Sequence, residues 1–278
     1  MSLYAVFQLE CLKIKHKANH FALRTKLFIK ENQMGLRRIT EITGRITSIN
    51  NSLNTMIHYK LKHILEQIMQ AEVVYNREPG SVLLLAVSKN KSANDISAAY
   101  QAGQRHFGES YCQEALKKQQ ELGAFDITWH FIGPVQSNKT KALASHFAWI
   151  HSVHSLKIAK RLSEQRPSIL PPLNICLQVN ISGEESKSGI TLNELPQLCE
   201  QVAALPNIKL RGVMAIPMPE EDFELQRLPY KSLYQAVAKL DNPALDTYSF
   251  GMSGDLNAAI AEGATIVRIG TALFGIRK

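Results

Sequence analysis

The chain has 278 residues, 45% hydrophobic and 20% charged, enough to bury the core of one large domain and unlike a disordered chain. Its net charge is +8, but residues 1–55 hold nine Lys/Arg against three Asp/Glu, which leaves the body near neutral at +2. A nucleic-acid-binding domain carries a basic stripe on its folded body, so nucleic acid is excluded as the main partner. No apolar run approaches the roughly 18 residues of a membrane span, so no membrane insertion is expected.

In chain order, residues 1–55 come first. They are basic, poor in acids, and lack an apolar signal core or a cleavage site. They read as an extension outside the core: disordered, a transit peptide, or the product of a misplaced start with Met34 or Met56 as the true one. Residues 56–278 form the folded domain. A helix is expected over 57–75, where Leu61, Ile64, Leu65 and Ile68 recur at helical spacing. Glu78-Pro79-Gly80 then breaks the chain.

Eight β-rich runs follow, at 82–88, 105–110, 127–133, 148–154, 173–180, 208–217, 245–252 and 265–275. Seven segments of helical composition separate them, with Ser92 and Thr191 as N-caps and Gly103 and Gly263 as C-terminal stops. The runs are continuously apolar, as in parallel strands covered on both faces. Strict alternation predicts an α/β fold, a single (β/α)8 TIM-type barrel, with the helix at 57–75 as an extra N-terminal helix. An open doubly wound sheet is the alternative, but no GxGxxG turn or Walker A loop is present.

Function in such barrels collects at the C-terminal strand ends. The first run ends in Val87-Ser88-Lys89. A lysine placed after apolar residues suits a Schiff base, because desolvation favours its neutral amine. The bland alternative is a surface lysine opening a loop. The last two runs offer an anion cup: Ser253 at a helix start, then Gly270 and Thr271. Arg268, one step inward, suits the same anion or a bound ring. Alternatively, Gly251 and Gly270 make turns and Arg268 pairs with Asp255 or Glu262. An amine and a phosphate cup in one mouth point to a phosphorylated carbonyl ligand.

These residues lie in AVSKNK (86–91), FGESYCQE (107–114), WHFIGPVQSNK (129–139), VNISGEESKSG (179–189), RGVMAIP (211–217), FGMSGD (250–255) and VRIGTALFG (267–275). In that order and spacing they resemble the YggS/PROSC family of pyridoxal-phosphate-binding proteins, the pyridoxal phosphate (PLP) homeostasis family, similar to the N-terminal domain of alanine racemase. The resemblance covers 82–278. It implies a single barrel with PLP on Lys89 as a Schiff base and the phosphate on Ser253, Gly270 and Thr271. It further implies Arg268 near the ring nitrogen, Asn180 and Met214 lining the cofactor, and Lys187 in secondary contact or release. Ser110 stands where the family has asparagine, which bears on a contact to the cofactor or Lys89. Val135 for leucine and Phe250 for methionine are packing changes.

The resemblance implies a non-catalytic, cytoplasmic, monomeric PLP binder in vitamin B6 homeostasis, with PLP-dependent apoenzymes as partners. A racemase needs a base on each face of the cofactor, and the related racemases take one from a second domain. A racemase-like PLP enzyme is the first alternative, and a Schiff-base phosphosugar barrel enzyme the second. No metal is expected: His146, His151 and His154 are the one cluster to weigh, and two on one strand without a carboxylate read as packing. Cys11, Cys112, Cys176 and Cys199 form no CxxC pair and read as free thiols. Asn180-Ile181-Ser182 matches a glycosylation pattern incidentally.

Overall fold

The computed structural model describes residues 33–184 and 187–276. The chain divides into two units, Met1–Met56 and Ile57–Lys278. What the sequence suggests for residues 1–32 lies outside the described residues.

Helix α1 runs Gln33–Val74, so it begins well before residue 57, where the periodicity placed its start. No proline occurs between those ends, and nothing removes a donor from the i→i−4 ladder. In the second unit its buried face is Ile57, Leu61, Ile64, Ile68 and Ala71, a narrow heptad-like stripe. Leu65, expected on that face, is exposed. Glu72 near the helix end accepts the N–H groups of Gly80 and Val82, which ties the helix to the start of the first strand.

All eight expected strands are present: β1 (Leu83–Val87), β2 (His106–Glu109), β3 (Thr128–Phe131), β4 (Trp149–Val153), β5 (Leu173–Gln178), β6 (Ile208–Met214), β7 (Thr247–Ser249) and β8 (Ile266–Ile269). Each pairs in parallel with the next, and β8 pairs with β1, so the sheet closes into a barrel. The open-sheet alternative is thereby set aside. Parallel neighbours require crossovers. These are helices α2 (Ala93–Gln101), α3 (Cys112–Glu121), α4 (Thr140–His146), α5 (Leu156–Gln165), α6 (Leu195–Ala203), α7 (Phe223–Ala238) and α8 (Leu256–Ala261).

Ser92 caps α2 in a reciprocal box with Asp95. Thr191 and Glu194 make the same exchange, but α6 starts only at Leu195, so Thr191 caps the turn before it. Gly103 and Gly263 follow their helices at φ 107° and 94°, backbone that glycine adopts most readily. The run at 265–275 departs from expectation. The strand stops at Ile269, and α9 (Thr271–Phe274) is one helical turn. The Lys91 amine bonds the carbonyls of Phe274, Gly275 and Ile276 at 3.0–3.2 Å and so fixes the end of that turn.

Candidate functional site

Parallel strands share one C-terminal rim. Lys89 follows β1, Ser110 follows β2, Asn180 follows β5, Met214 ends β6, Ser253 follows β7, and Gly270 and Thr271 follow β8. Barrel closure makes the first and last of these neighbours, because Ala86 is in register with Ile269. A Cβ on Gly270 would lie 3.2 Å from the Val87 carbonyl oxygen, so the close approach of β8 to β1 is what calls for glycine there.

Lys89 is half-buried, and the residues around it are held individually. The Ser88 carbonyl accepts from the buried Lys118 amine at 2.8 Å. The Ser88 hydroxyl donates to Glu109 at 2.5 Å. The Asn90 N–H donates to Glu114 at 2.7 Å, with Asn90 at φ 59°. Lys118 closes the cluster with bonds to Glu109 at 2.8 Å and Glu114 at 2.5 Å. Burial pushes the Glu109 carboxyl up, and the Lys118 ammonium opposes that shift. Neither residue stood out in the sequence. The available signals were a glutamate ending an apolar strand and a lysine four residues after Glu114.

Arg268 is 5% exposed. Its Nη1 donates to the Ser249 carbonyl and, at 2.8 Å, to the Ser249 hydroxyl; its Nη2 donates to the Ala215 carbonyl at 3.0 Å. It pairs with neither Asp255 nor Glu262, which corrects that alternative. Glu262 is held by Arg227, and Asp255 accepts from Tyr230 and the Met252 N–H. Burial pulls the Arg268 pKa down, while Tyr230 and Asp255 oppose the shift.

Ser253 is exposed and lies in a turn, since α8 begins only at Leu256; the expected helix start at Ser253 is corrected by three residues. It borders a groove of about 490 Å3 lined also by Gln67 of α1, Tyr75 just beyond it and Phe223 of α7. Thr271 is exposed at the start of α9. Met214 is buried. Asn180 anchors the loop after β5: its Nδ2 donates to the carbonyls of Glu184 and Lys187 at 2.8 and 3.2 Å. Its Oδ1 is buried without a hydrogen-bond partner. The Lys187 amine bonds the Ile216 and Pro217 carbonyls at 3.3 and 3.2 Å and pairs with Glu184 at 2.5 Å. It therefore ties the loop after β5 to the loop after β6. Ser110 is half-buried at the end of β2.

The three histidines weighed for a metal do not meet. His146 ends α4 at the surface, His154 lies beyond β4, and His151 is fully buried. His151 instead bonds Ser249 at 2.8 Å and His130 at 2.9 Å, and His130 bonds His106 at 3.0 Å. Burial holds His130 well below the ordinary range, and burial with the nearby Arg268 charge takes His151 down to about 3. The sequence signal for this row was one histidine on each of three consecutive strands.

Comparison with known proteins places this rim in a family. Residues 61–278 match the family model of the alanine racemase N-terminal domain. The chain is 56% identical over 214 residues to the pyridoxal phosphate homeostasis protein of Pseudomonas aeruginosa, covering 77% of this chain and 93% of that one. PipY of Synechococcus elongatus, solved with PLP bound, is 39% identical with a TM-score of 0.69, over 79% of this chain and all of that chain. An alanine racemase of Clostridium difficile shares the fold at 13% identity and a TM-score of 0.65, over 80% of this chain and 57% of that one. The chain belongs to the pyridoxal phosphate homeostasis protein family, built on the alanine racemase N-terminal domain.

Proposed function

We propose that residues 56–278 bind pyridoxal 5'-phosphate at the C-terminal rim, captured on Lys89, and that the protein is a non-catalytic carrier in vitamin B6 homeostasis. The observation that carries this reading is the juxtaposition, by β1–β8 closure, of Lys89 with the Gly270-Thr271 turn. When bound, PLP supplies an aldehyde that an amine captures and a phosphate that demands hydrogen-bond donors.

The residues present fit that group. Asn180 Oδ1 is an orphaned buried acceptor just beyond β5. Among the described residues, Arg268 forms no ion pair with a carboxylate, so its charge is free to face a ligand acceptor. Thr271 and Ser253 offer hydroxyls and backbone donors for the phosphate, with Gly270 keeping the turn against β1. Arg268 faces the ring nitrogen, and Asn180, Met214 and Ser110 line the cofactor. Lys187 closes the border between two rim loops and touches the cofactor only when its carbonyl bonds release.

The carrier role rests on the homeostasis name borne by relatives at high identity; the racemase likeness is one of fold alone. The protein acts as a cytoplasmic monomer that delivers PLP to apoenzymes. Among the described residues no helix is long and apolar enough to cross a membrane, and three cysteines are buried free thiols, which suits a reducing compartment.

The test is to load the purified protein with PLP, reduce with borohydride and map the adduct. The expected result is a yellow protein with the adduct on the Lys89 peptide and uptake weakened roughly tenfold or more in Lys89→Ala, at least one strong interaction. A colourless protein, or an adduct confined to other lysines, overturns the assignment. Exchange of the Cα hydrogen of added amino acids at enzymatic rates overturns the carrier role.

A further inference from the structure

The row of imidazoles has a direction, and Arg268 sets it. Arginine carries donors only. Ser249 Oγ therefore accepts from Arg268 Nη1 at 2.8 Å, and among the described residues the acceptor within reach of its own proton is His151 Nδ1, also at 2.8 Å. His151 must then donate through Nε2 to His130 Nδ1 at 2.9 Å. His130 donates in turn through Nε2 to His106 Nδ1 at 3.0 Å. The fully reversed row would leave the Ser249 hydroxyl proton without an acceptor in a buried site, and a mixed row would set two protons or two lone pairs against each other. The Trp149 ring lies nearly parallel to His130, at 10° and 5.5 Å, and holds its plane. His106 opens β2, so the row runs from the barrel floor to Ser249 and Arg268.

The Ser249–His151 bond joins β7 to β4 across the barrel, between residues 98 apart in sequence. Among the described residues Arg268 donates to neutral acceptors: two oxygens of Ser249 and the Ala215 carbonyl. A guanidinium without a carboxylate partner is aimed by the geometry of its acceptors, and among the described residues it is His151 that, beside Arg268 itself, bonds the Ser249 hydroxyl.

We propose that Ser249, His151 and His130 are positioning residues for Arg268, and that His106, His130 and His151 are locked as neutral Nε2–H tautomers in a one-way row. The proposal rests on the reading that Arg268 faces bound PLP. The row gives Arg268 one orientation toward the ring; breaking it frees the guanidinium to turn.

Long-range proton–nitrogen spectra of the full-length protein test the row without any ligand. Three imidazoles should show a protonated Nε2 and a bare Nδ1, unchanged between about pH 5.5 and 8.5. An Nδ1–H tautomer or a titrating signal from any of the three overturns the proposal. His130→Phe keeps a ring against Trp149 but breaks the row, whereas His130→Gln keeps one donor and one acceptor.

In the PLP-loaded protein, His130→Phe should displace the visible band and speed release to an apoenzyme roughly tenfold, the scale of one charge-assisted hydrogen bond. His130→Gln should stay within about twofold of the parent on the same scale. A purely structural role lowers the melting temperature in both variants without moving the band. An unmoved band and release rate in His130→Phe sink the positioning role. Failure of the parent protein to take up PLP sinks the site reading instead, and the tautomer spectra still decide the row.

Discussion

Stability is expected to fall steeply as pH drops below about 6.5, before the carboxylates titrate. In the unfolded chain each imidazole takes a proton near pH 6.5, but folded His151 resists until about 3. A folded pKa below the unfolded one means the unfolded state binds more protons in that window. The stabilisation is therefore whole above about pH 6.5 and is lost progressively on the way down. At about 1.4 kcal/mol per pH unit, His151 alone accounts for a loss of about 5 kcal/mol by pH 3. His130, also held well below its ordinary value by burial, acts in the same direction. A loss of that size rivals the whole stability of a typical domain, roughly 5–15 kcal/mol. Urea unfolding at a series of pH values between about 6.5 and 4.5 measures the slope. The slope should be shallower in His130→Gln by about one proton. A flat profile in the parent, or equal slopes in both, contradicts the neutral buried row.

Lys118→Met is expected to destabilise the protein by about 3–5 kcal/mol, the usual cost of leaving a buried charge without its partner. Glu109 is fully buried, and Lys118 is its cation as well as the donor to the Ser88 carbonyl. Methionine fills the space of the stem and removes the amine. Adding Glu109→Leu should recover more than half of the loss, because an apolar pair replaces an ion pair better than a lone charge does. Thermal or urea unfolding of the two variants decides it, and a single variant within about 1 kcal/mol of the parent contradicts the clamp. Lys118→Met also removes one bond to the Ser88 carbonyl and loosens the approach to Lys89, so the yield of borohydride adduct on Lys89 should fall with it.

Helix α1 and the strand β8 run show where local pattern misleads. The buried stripe of α1 was legible from Leu61, Ile64 and Ile68, but Leu65 has the right spacing and stays exposed, since burial depends on what a face meets. The run at 265–275 is apolar enough to continue as a strand, yet the chain turns at Gly270, where β1 crowds it and Lys91 holds the carbonyls beyond. Ser253 likewise looked like a helix start, and the Asp255 carboxylate instead draws Met252 into a turn.

By itself the sequence determined the β-α alternation, the eight strands, and the placement of Lys89, Ser110, Asn180, Ser253 and Thr271 just past strand ends. Those follow from short-range hydrophobic pattern and turn chemistry, which a linear reading captures. Closure of the strands into a barrel was expected as well; only the tertiary structure decided that Lys118 and Glu109 grip the lysine loop, and that three histidines connect to Arg268. Those contacts join residues 9 to 98 positions apart, in some cases across the barrel. No local periodicity encodes them, because a polar side chain becomes an inward-facing partner only once closure has chosen which strands stand opposite.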